Sequence, residues 1–218
     1  MSYRAPMLWS FRALADSLKP ERPAAPPVLV CIDGPGGSGK STLAKGLAEV
    51  SGDIQVIHLD DFYRPSAARY AGPIAERPTG ADFDLGRFRA EALEPLGSGL
   101  PAAYHIYDWT TDRVSAHTVP VTRPLVVVEG VYSFCLALAP FYDFSIWVEC
   151  PRDVRLARGI ARDGEGARAR WEQDWMLGED AYVQSESPRD RAALVCDGSP
   201  ADGGRVIILR GHSARWIK

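Results

Sequence analysis

The amino-acid sequence predicts an α/β fold, a three-layer α/β/α sandwich with a mainly parallel sheet. The first reason is that short apolar runs alternate along the chain with segments whose apolar residues recur at helical spacing. The second reason is size and composition, because 218 residues with 46% hydrophobic and 24% charged side chains suit one globular domain with a sizeable core. Ligands of such sheets bind beyond the carboxyl ends of the strands, so we expect the chemistry just after each strand.

The N-terminal segment, residues 1–27, is predicted to hold one short amphipathic helix and a linker. The helix prediction depends on four apolar residues at helical spacing: Met7, Phe11, Leu14 and Leu18. A membrane-surface helix is the alternative, but the basic face is sparse, which favours packing against the main domain. Residues 20–27 contain four prolines and are typical of a linker, so the main domain is expected to cover residues 28–218.

The main domain is predicted to alternate strands and helices. Apolar runs predict its sheet strands: residues 28–32, 55–59, 125–128, 144–148, 194–196 and 206–209. Residues 64–81 lack periodicity and are expected to form a loop, after which Asp84 would cap a helix that Pro95 ends. Residues 103–107 and 117–121 alternate enough to predict a small β-hairpin inserted into the sandwich.

The run after the first predicted strand fits G-x-x-x-x-G-K-[ST] without a mismatch. It lies between a predicted strand and a predicted helix, as a phosphate-binding loop (P-loop) requires. Glycines let successive backbone N–H groups point at phosphate oxygens, and the helix N-terminus adds a partial positive charge. Lys40 would act as a catalytic cation on the β- and γ-phosphates, whereas a glycine-rich turn without a ligand is the alternative. The predicted nucleotide-binding residues of this loop are Gly34, Pro35, Gly36, Gly37, Ser38, Gly39, Lys40, Ser41 and Thr42.

Carboxylates follow the second and third of the predicted sheet strands and would lie beside the phosphate loop. Glu129 is expected to hold Mg²⁺ together with the Ser41 hydroxyl, although a helix cap or a surface carboxylate is the alternative. Either Asp60 or Asp61 could orient an acceptor hydroxyl and take its proton, and the alternative for both is a structural turn. Together with the phosphate loop, these residues predict ATP-dependent transfer of phosphate to a hydroxyl of a small molecule.

Three arginines follow the fourth predicted strand at spacings of three and four, which place them on one helical face: Arg155, Arg158 and Arg162. We expect a lid that closes on the triphosphate, offsets charge in the transition state and excludes water. Arg158 is the arginine that we assign to catalysis. A solvated basic face paired with Asp153 or Asp163 is the alternative.

Charge and cysteine usage exclude several other classes. A net charge of -3 gives no global basic field, so we expect no nucleic-acid partner. The 4 cysteines form no C-x-x-C pair and the 4 histidines show no metal-ligand spacing, so no disulfide framework and no metal beyond Mg²⁺ is expected. No signal peptide or apolar run of membrane-span length is found, which predicts a cytoplasmic protein without a membrane partner. Whether the chain forms a homo-oligomer is left open.

Taken in order, the motifs resemble the uridine kinase / phosphoribulokinase family of P-loop kinases. The resemblance covers residues 28 to about 211 and is carried by the loop 34–41, Asp60-Asp61-Phe62-Tyr63, Phe83-Asp84, Tyr107-Asp108-Trp109, Val128-Glu129-Gly130, Arg155-x-x-Arg158 and Arg162-Asp163. It implies that Asp60 is the catalytic base, that Tyr63 lines the acceptor site and that Glu129 serves near Mg²⁺. It also implies that the arginines contact ATP phosphates: Arg155, Arg158 and Arg162.

The resemblance further implies a nucleoside acceptor, uridine or cytidine, phosphorylated at the ribose 5′-hydroxyl. The acceptor-binding residues would then be Asp60, Tyr63, Asp84, Tyr107, Trp109 and Arg113. Two departures fall in this site, because no base-reading histidine follows Tyr107-Asp108-Trp109 and residues 77–81 replace the family's Asn-Phe-Asp-His-Pro stretch. Relaxed preference between the two nucleosides, another acceptor (pantothenate, a sugar or a sugar phosphate) and a regulatory P-loop ATPase therefore stay as alternatives.

Overall fold

The computed structural model describes residues 7–19, 26–199 and 205–211 and confirms the three-layer α/β/α architecture. The described strands are β1 (Met7–Ser10), β2 (Val28–Asp33), β3 (Ile54–His58), β4 (Ala102–Asp108), β5 (Arg113–Val121), β6 (Leu125–Glu129), β7 (Phe144–Glu149), β8 (Leu194–Asp197) and β9 (Arg205–Gly211). Seven of them form one sheet in the order β1-β9-β8-β7-β2-β6-β3. The strands from β8 to β3 are parallel. At the other edge β9 pairs antiparallel with β8, and β1 pairs antiparallel with β9.

Helices cover both faces of this sheet. They are α1 (Phe11–Leu18), α2 (Lys40–Val50), α3 (Leu85–Phe88), α4 (Glu94–Gly97), α5 (Arg152–Asp163), α6 (Arg168–Arg170), α7 (Met176–Glu186) and α8 (Pro188–Arg191). One apolar core lies between the sheet and helices α1 and α2, with Leu14 and Leu47 fully buried. The other core contains Phe62, Phe88 and Tyr182. No helix among the described residues has the length and apolar character that crossing a membrane requires.

The N-terminal segment belongs to the same sheet and core as the rest of the described chain. The expectation that the helix includes Met7 is wrong, because residues 7–10 form β1, which pairs with β9, and the helix begins at Phe11. Ser10 caps it, its hydroxyl accepting the Ala13 N–H at 3.1 Å. Packing of this helix against the main domain is confirmed by the complete burial of Leu14 and Leu18. The proline-rich stretch at residues 20–25 lies outside the described residues, and the division at residue 27 stays a prediction.

The helix after Asp84 continues past the proline that was expected to end it. Asp84 caps α3 as predicted, its Oδ1 accepting the Arg87 N–H at 3.0 Å. A π-turn at Arg89–Leu93 then joins α3 to α4, and Pro95 lies inside α4, which ends at Gly97. The wider π-turn directly before Pro95 accommodates a residue that has no N–H to donate. The predicted loop at 64–81 contains only two short 3₁₀ turns, and the predicted hairpin is present as β4 and β5.

Candidate active site

A cleft of about 840 Å³ opens at the carboxyl ends of the parallel strands. The phosphate loop after β2 forms its floor, and six consecutive or near-consecutive residues of the loop line it: Gly36, Gly37, Gly39, Lys40, Ser41 and Thr42. Strands β6 and β3 lie on one side of β2, and strands β7, β8 and β9 lie on the other. The sheet order therefore gives the cleft two ends, one beside β6 and β3 and the other beside β7, β8 and β9.

The phosphate loop has the backbone geometry of an anion cradle. Gly37 and Gly39 have φ values of +74° and +101°, in the left-handed region that L side chains rarely adopt. A Cβ at Gly37 would also fall 2.6 Å from the backbone oxygen of Arg155, so only glycine fits there. Lys40 is 6% exposed, and its Nζ donates to the Pro35 carbonyl oxygen at 2.9 Å, so the ammonium group lies across the loop.

Asp33, which the sequence analysis did not single out, fixes the start of this loop. Its fully buried carboxylate accepts the N–H groups of Gly34 (2.6 Å), Tyr132 (3.2 Å) and Phe134 (2.9 Å) and the Tyr182 hydroxyl (2.7 Å). Burial outweighs these hydrogen bonds and raises the pKa of Asp33 to about 6. An acid as the last residue of a buried strand, directly before the loop, was the sequence signal that could have identified it.

Glu129 lies at the end of β6, where the sequence analysis expected a metal ligand. The Ser41 hydroxyl donates to its two carboxylate oxygens at 3.2 and 3.1 Å, and His58 Nδ1 lies 2.6 Å from Oε1. Burial acts to raise the pKa of Glu129, but the contact with His58 and the charge of Lys40 hold it below the ordinary value. The contact with Glu129 in turn raises the pKa of His58.

These donors fit Mg²⁺, which prefers oxygen ligands and is usually held by one or two carboxylates together with substrate phosphates. The Ser41 hydroxyl and the Glu129 carboxylate supply such oxygens next to the phosphate loop. Within the described ranges, no cluster of three His, Cys, Asp or Glu side chains forms a dedicated metal cage. The residues present are therefore suited to a cation that arrives with a nucleotide, and the assignment stays a prediction.

Asp60 and Asp61 are adjacent in sequence but face different surroundings. Asp60 is open to the cleft and lines it. The walls of the cleft shield its carboxylate from water, and this desolvation, followed by the negative charge of Glu129, raises the pKa of Asp60. Asp61 is hydrogen-bonded to Tyr104 of the hairpin and is absent from the cleft lining. The geometry thus distinguishes two residues that the sequence left equivalent, and it favours Asp60 as the proton acceptor.

The three arginines of α5 differ in their contacts. Arg155 is 5% exposed, and its Nη1 donates to Glu179 Oε2 at 3.0 Å. Arg158 donates to three backbone carbonyl oxygens, those of Gly37 (3.2 Å), Gly198 (2.8 Å) and Ser199 (2.7 Å). It therefore ties the phosphate loop to the segment after β8.

Arg162 is the one of the three whose side chain is mostly exposed, and it forms the ion pair with Asp163 that the alternative interpretation named. It lines the cleft, and its charge interacts with that of Asp60. Arg158 lines the cleft as well, but Arg155 does not. Phosphate contact by Arg155 would require its pair with Glu179 to open, so the three phosphate roles stay predictions of unequal support.

Glu179, from α7, is a second residue that sequence reasoning missed. It is 4% exposed, and besides binding Arg155 it accepts the Gly36 N–H at 2.9 Å through Oε1. A carboxylate thus occupies one N–H group of the phosphate loop. No motif marked this residue, because its role depends on α7 returning to the loop 143 positions away in sequence.

The end of the cleft near Asp60 has an aromatic wall. Four aromatic side chains contribute to it: Tyr63, Phe83, Trp109 and Tyr132. The ring centroids of Tyr63 and Phe83 are 4.3 Å apart, and those of Tyr63 and Trp109 are 4.7 Å apart. Two of these side chains, Tyr63 and Trp109, were predicted acceptor-site residues.

The other predicted acceptor residues lie behind or beside this wall. Tyr107 is 3% exposed, and its hydroxyl donates to Asp112 at 2.5 Å and accepts Arg69 Nη2 at 2.8 Å. Asp84 caps α3, and Arg113 is exposed on β5; neither residue, nor Tyr107, is part of the cleft lining. Arg69 was not predicted, yet its guanidinium lies over the rings of Tyr63, Tyr107 and Trp109 at 5.0, 5.5 and 5.6 Å.

Comparison with protein families matches residues 29–170 to the model described as "Phosphoribulokinase / Uridine kinase family". A uridine kinase of Clostridium novyi is 31% identical over 145 residues, which cover 63% of this chain and 68% of that protein. A uridine kinase of Borreliella burgdorferi is 28% identical over 141 residues, covering 62% of this chain and 66%, just under two thirds, of that protein. A Synechocystis phosphoribulokinase is 28% identical over 141 residues, covering 62% of this chain and 42% of that protein.

Solved structures share the fold. A Bacillus stearothermophilus protein described as "a Possible Uridine Kinase" superposes with a TM-score of 0.67 at 23% identity, covering 85% of this chain and 96% of that chain. A D-glycerate 3-kinase from Cryptococcus neoformans superposes with a TM-score of 0.55 at 15% identity, covering 89% of this chain and 94% of that chain. At these identities the likeness concerns the architecture alone.

Proposed function

The chain belongs to the phosphoribulokinase / uridine kinase family, and from this premise we propose that it is an ATP-dependent kinase that phosphorylates a hydroxyl group of a small molecule. The observation that carries the proposal is that the phosphate loop and the carboxylate of Asp60 open into the same cleft. A nucleotide-binding protein without transfer chemistry needs the loop but has no need of a second carboxylate facing an aromatic-walled cavity beside it.

In the proposed reaction, the phosphate loop holds ATP, and Lys40 neutralises charge on the transferring phosphate. Mg²⁺ bound by Ser41 and Glu129 would supply charge stabilisation on the phosphate oxygens. Asp60 takes the proton of the acceptor hydroxyl while the oxygen of that hydroxyl bonds to the γ-phosphorus of ATP. The bond between the γ-phosphorus and ADP breaks in the same step, and ADP leaves. The raised pKa of Asp60 makes its carboxylate a stronger base than an ordinary aspartate.

The leading acceptor is a nucleoside, uridine or cytidine, at the 5′-hydroxyl. The uridine kinases among the relatives support it, and so does the wall of Tyr63, Phe83, Trp109 and Tyr132, against which a flat base could stack. A sugar, sugar phosphate or pantothenate is the second candidate. It is favoured by the positive charge of Arg69, whose guanidinium lies over the Tyr63 and Trp109 rings of this wall and would attract an anionic acceptor.

The test is acceptor-dependent ATP consumption across uridine, cytidine, pantothenate, sugars and sugar phosphates, with Lys40→Ala as the matched inactive control. We expect at least one acceptor to raise ATP consumption well above the rate without acceptor, and product analysis to place phosphate on a hydroxyl. If neither nucleoside reacts at millimolar concentration and another acceptor does, the nucleoside assignment is wrong. Steady ATP hydrolysis that no acceptor stimulates would instead support the regulatory ATPase.

A further inference from the structure

The order of the strands fixes the direction in which a nucleotide must lie across the cleft. Asp60 and Glu129 follow β3 and β6, which are on one side of the phosphate loop. If phosphate transfer takes place near Asp60, the terminal phosphate of the nucleotide must point toward β6 and β3. The nucleoside end of the same molecule must extend across the loop, past Thr42, toward β7, β8 and β9.

The far end of the cleft is lined by residues that the transfer chemistry does not use. They are Phe11, Val148, Cys196, Asp197, Gly198, Arg205 and Val206. Phe11 opens α1 and directly follows Ser10, which pairs with Arg205 in the antiparallel register of β1 with β9, and both Phe11 and Arg205 line the cleft. Neither lies within residues 29–170, the part of the chain that matches the family.

The ring of Phe11 rests on the backbone of α2, the helix that the phosphate loop opens. A Cβ at Gly46 would fall 2.2 Å from both Cδ2 and Cε2 of Phe11, so the absence of a side chain at Gly46 is what lets the ring lie there. The ring is only partly buried in the core that it touches, and it also lines the cleft. An aromatic surface is thus held two helical turns from the N-terminus of α2, at the end of the cleft where a base would lie.

We propose that Phe11, with Arg205 beside it, forms the base-binding wall of the nucleotide site. The N-terminal strand–helix segment then has a binding role in addition to completing the sheet. A base stacks on an aromatic ring through its π-face, and a guanidinium offers donors to base or ribose oxygens and nitrogens. The inference rests on the proposed function, since it requires a nucleotide on the phosphate loop.

The experiment measures binding of ADP and of inorganic tripolyphosphate to the full chain by calorimetry in the presence of Mg²⁺. Phe11→Ala is expected to weaken ADP binding by about tenfold, the scale of base–aromatic stacking, and to leave tripolyphosphate binding unchanged because that ligand has no base. Phe11→Leu keeps apolar packing on α2 and is expected to weaken ADP binding less. Arg205→Ala is expected to act in the same direction as Phe11→Ala.

Gly46→Ala provides a second perturbation that leaves Phe11 itself in place. The added methyl group displaces the ring, so ADP binding is expected to weaken as in Phe11→Ala. Gly97→Ala is the matched control, because a Cβ at that helical glycine meets no atom within 4 Å. Thermal unfolding of each variant checks that the fold persists, and Phe11→Leu and Gly46→Ala carry the test if Phe11→Ala does not fold.

The outcomes separate this inference from the proposed function. Unchanged ADP affinity in Phe11→Ala and Gly46→Ala overturns the base-binding wall while leaving the kinase proposal intact. Equal weakening of ADP and tripolyphosphate also overturns it, because Phe11 would then act only through the shape of the phosphate loop. Wild-type protein that binds neither ligand, or Lys40→Ala that binds both normally, overturns the proposed function and the inference with it.

Discussion

The sharpest prediction concerns two neighbouring aspartates that are chemically identical and structurally different. Asp60 is open to the cleft beside Glu129 and the phosphate loop, whereas Asp61 is hydrogen-bonded to Tyr104 of the hairpin. The change to asparagine keeps the size of either side chain and removes its ability to take a proton. Comparing Asp60→Asn with Asp61→Asn therefore isolates the position of the carboxylate from the chemistry of the substitution.

The structure sets the expected sizes of the two effects. A general base contributes about 10²–10⁴-fold to the rate, so Asp60→Asn is expected to lower kcat by that factor, or by about 3–5 kcal/mol in the barrier. Asp61→Asn weakens one side-chain hydrogen bond outside the cleft, which costs about 1 kcal/mol of folding stability. Its kcat is expected to stay within about tenfold of the wild type, because the side chain does not reach the reacting atoms.

The assay is acceptor-dependent ATP consumption over a range of pH, with ADP binding measured in parallel. Asp60 must be ionised to accept a proton, so wild-type kcat should fall as the pH drops through its pKa, which lies above the ordinary aspartate value. That acid limb should disappear in Asp60→Asn, while ADP binding persists. The reverse ranking of the two variants, or less than a tenfold loss of kcat in Asp60→Asn, would refute the assignment of Asp60 as the base.

Three further predictions address the loop and its supports. Lys40→Ala should lower activity by orders of magnitude with the thermal unfolding temperature preserved; full activity would show that the loop is not the working site. Arg158→Ala should raise the KM for ATP and lower kcat, because Arg158 holds the Gly37 carbonyl; a change in stability alone would make it a structural residue only. Burial raises the pKa of Asp33 from 3.8 to about 6, so protonation of Asp33 stabilises the folded state. This adds about 3 kcal/mol to the free energy of unfolding below about pH 4, and the gain is lost as the pH rises through about 6. Urea unfolding of Asp33→Asn should lack this pH dependence.

Features that depend on neighbours in sequence were predictable. Apolar runs placed the parallel strands, and the spacing of glycines with Lys40 and Ser41 placed the phosphate loop between β2 and α2. The hairpin followed from alternation, and the helix cap at Asp84 followed from the residue type before an apolar repeat. In each case the cause lies within about one turn of helix or one strand, so a single sequence contains it.

Features that depend on distant partners were not predictable. Met7 has helical spacing with Phe11, but its pairing with Ile208 of β9, near the other end of the chain, makes it part of a strand. Glu179 has no motif of its own, and the position of Asp33 before the loop does not disclose its partners, because both roles arise only where the turn after β6 and helix α7 meet the loop. Arg155 looks like a phosphate ligand in sequence, but it is buried against Glu179, which the spacing of the arginines could not reveal.

The same reasoning explains why the acceptor is the least determined part of the function. The phosphate-binding floor of the cleft is built by one continuous segment, the loop and the start of α2, so its motif carries its chemistry. The acceptor half is assembled from side chains of four separate segments, namely Tyr63, Phe83, Trp109 and Tyr132, and Arg69 reaches over part of it from a fifth. Aromatic surfaces accept many flat or apolar groups, whereas a site rejects the wrong acceptor strongly only where a buried polar group must be matched. The polar groups of this side include the Asp60 carboxylate and the hydroxyls of Tyr63 and Tyr132, and the Arg69 cation lies over part of the wall. Such groups suit a base, a ribose or a sugar alike, which is why uridine, cytidine and a sugar acceptor are to be compared in one assay.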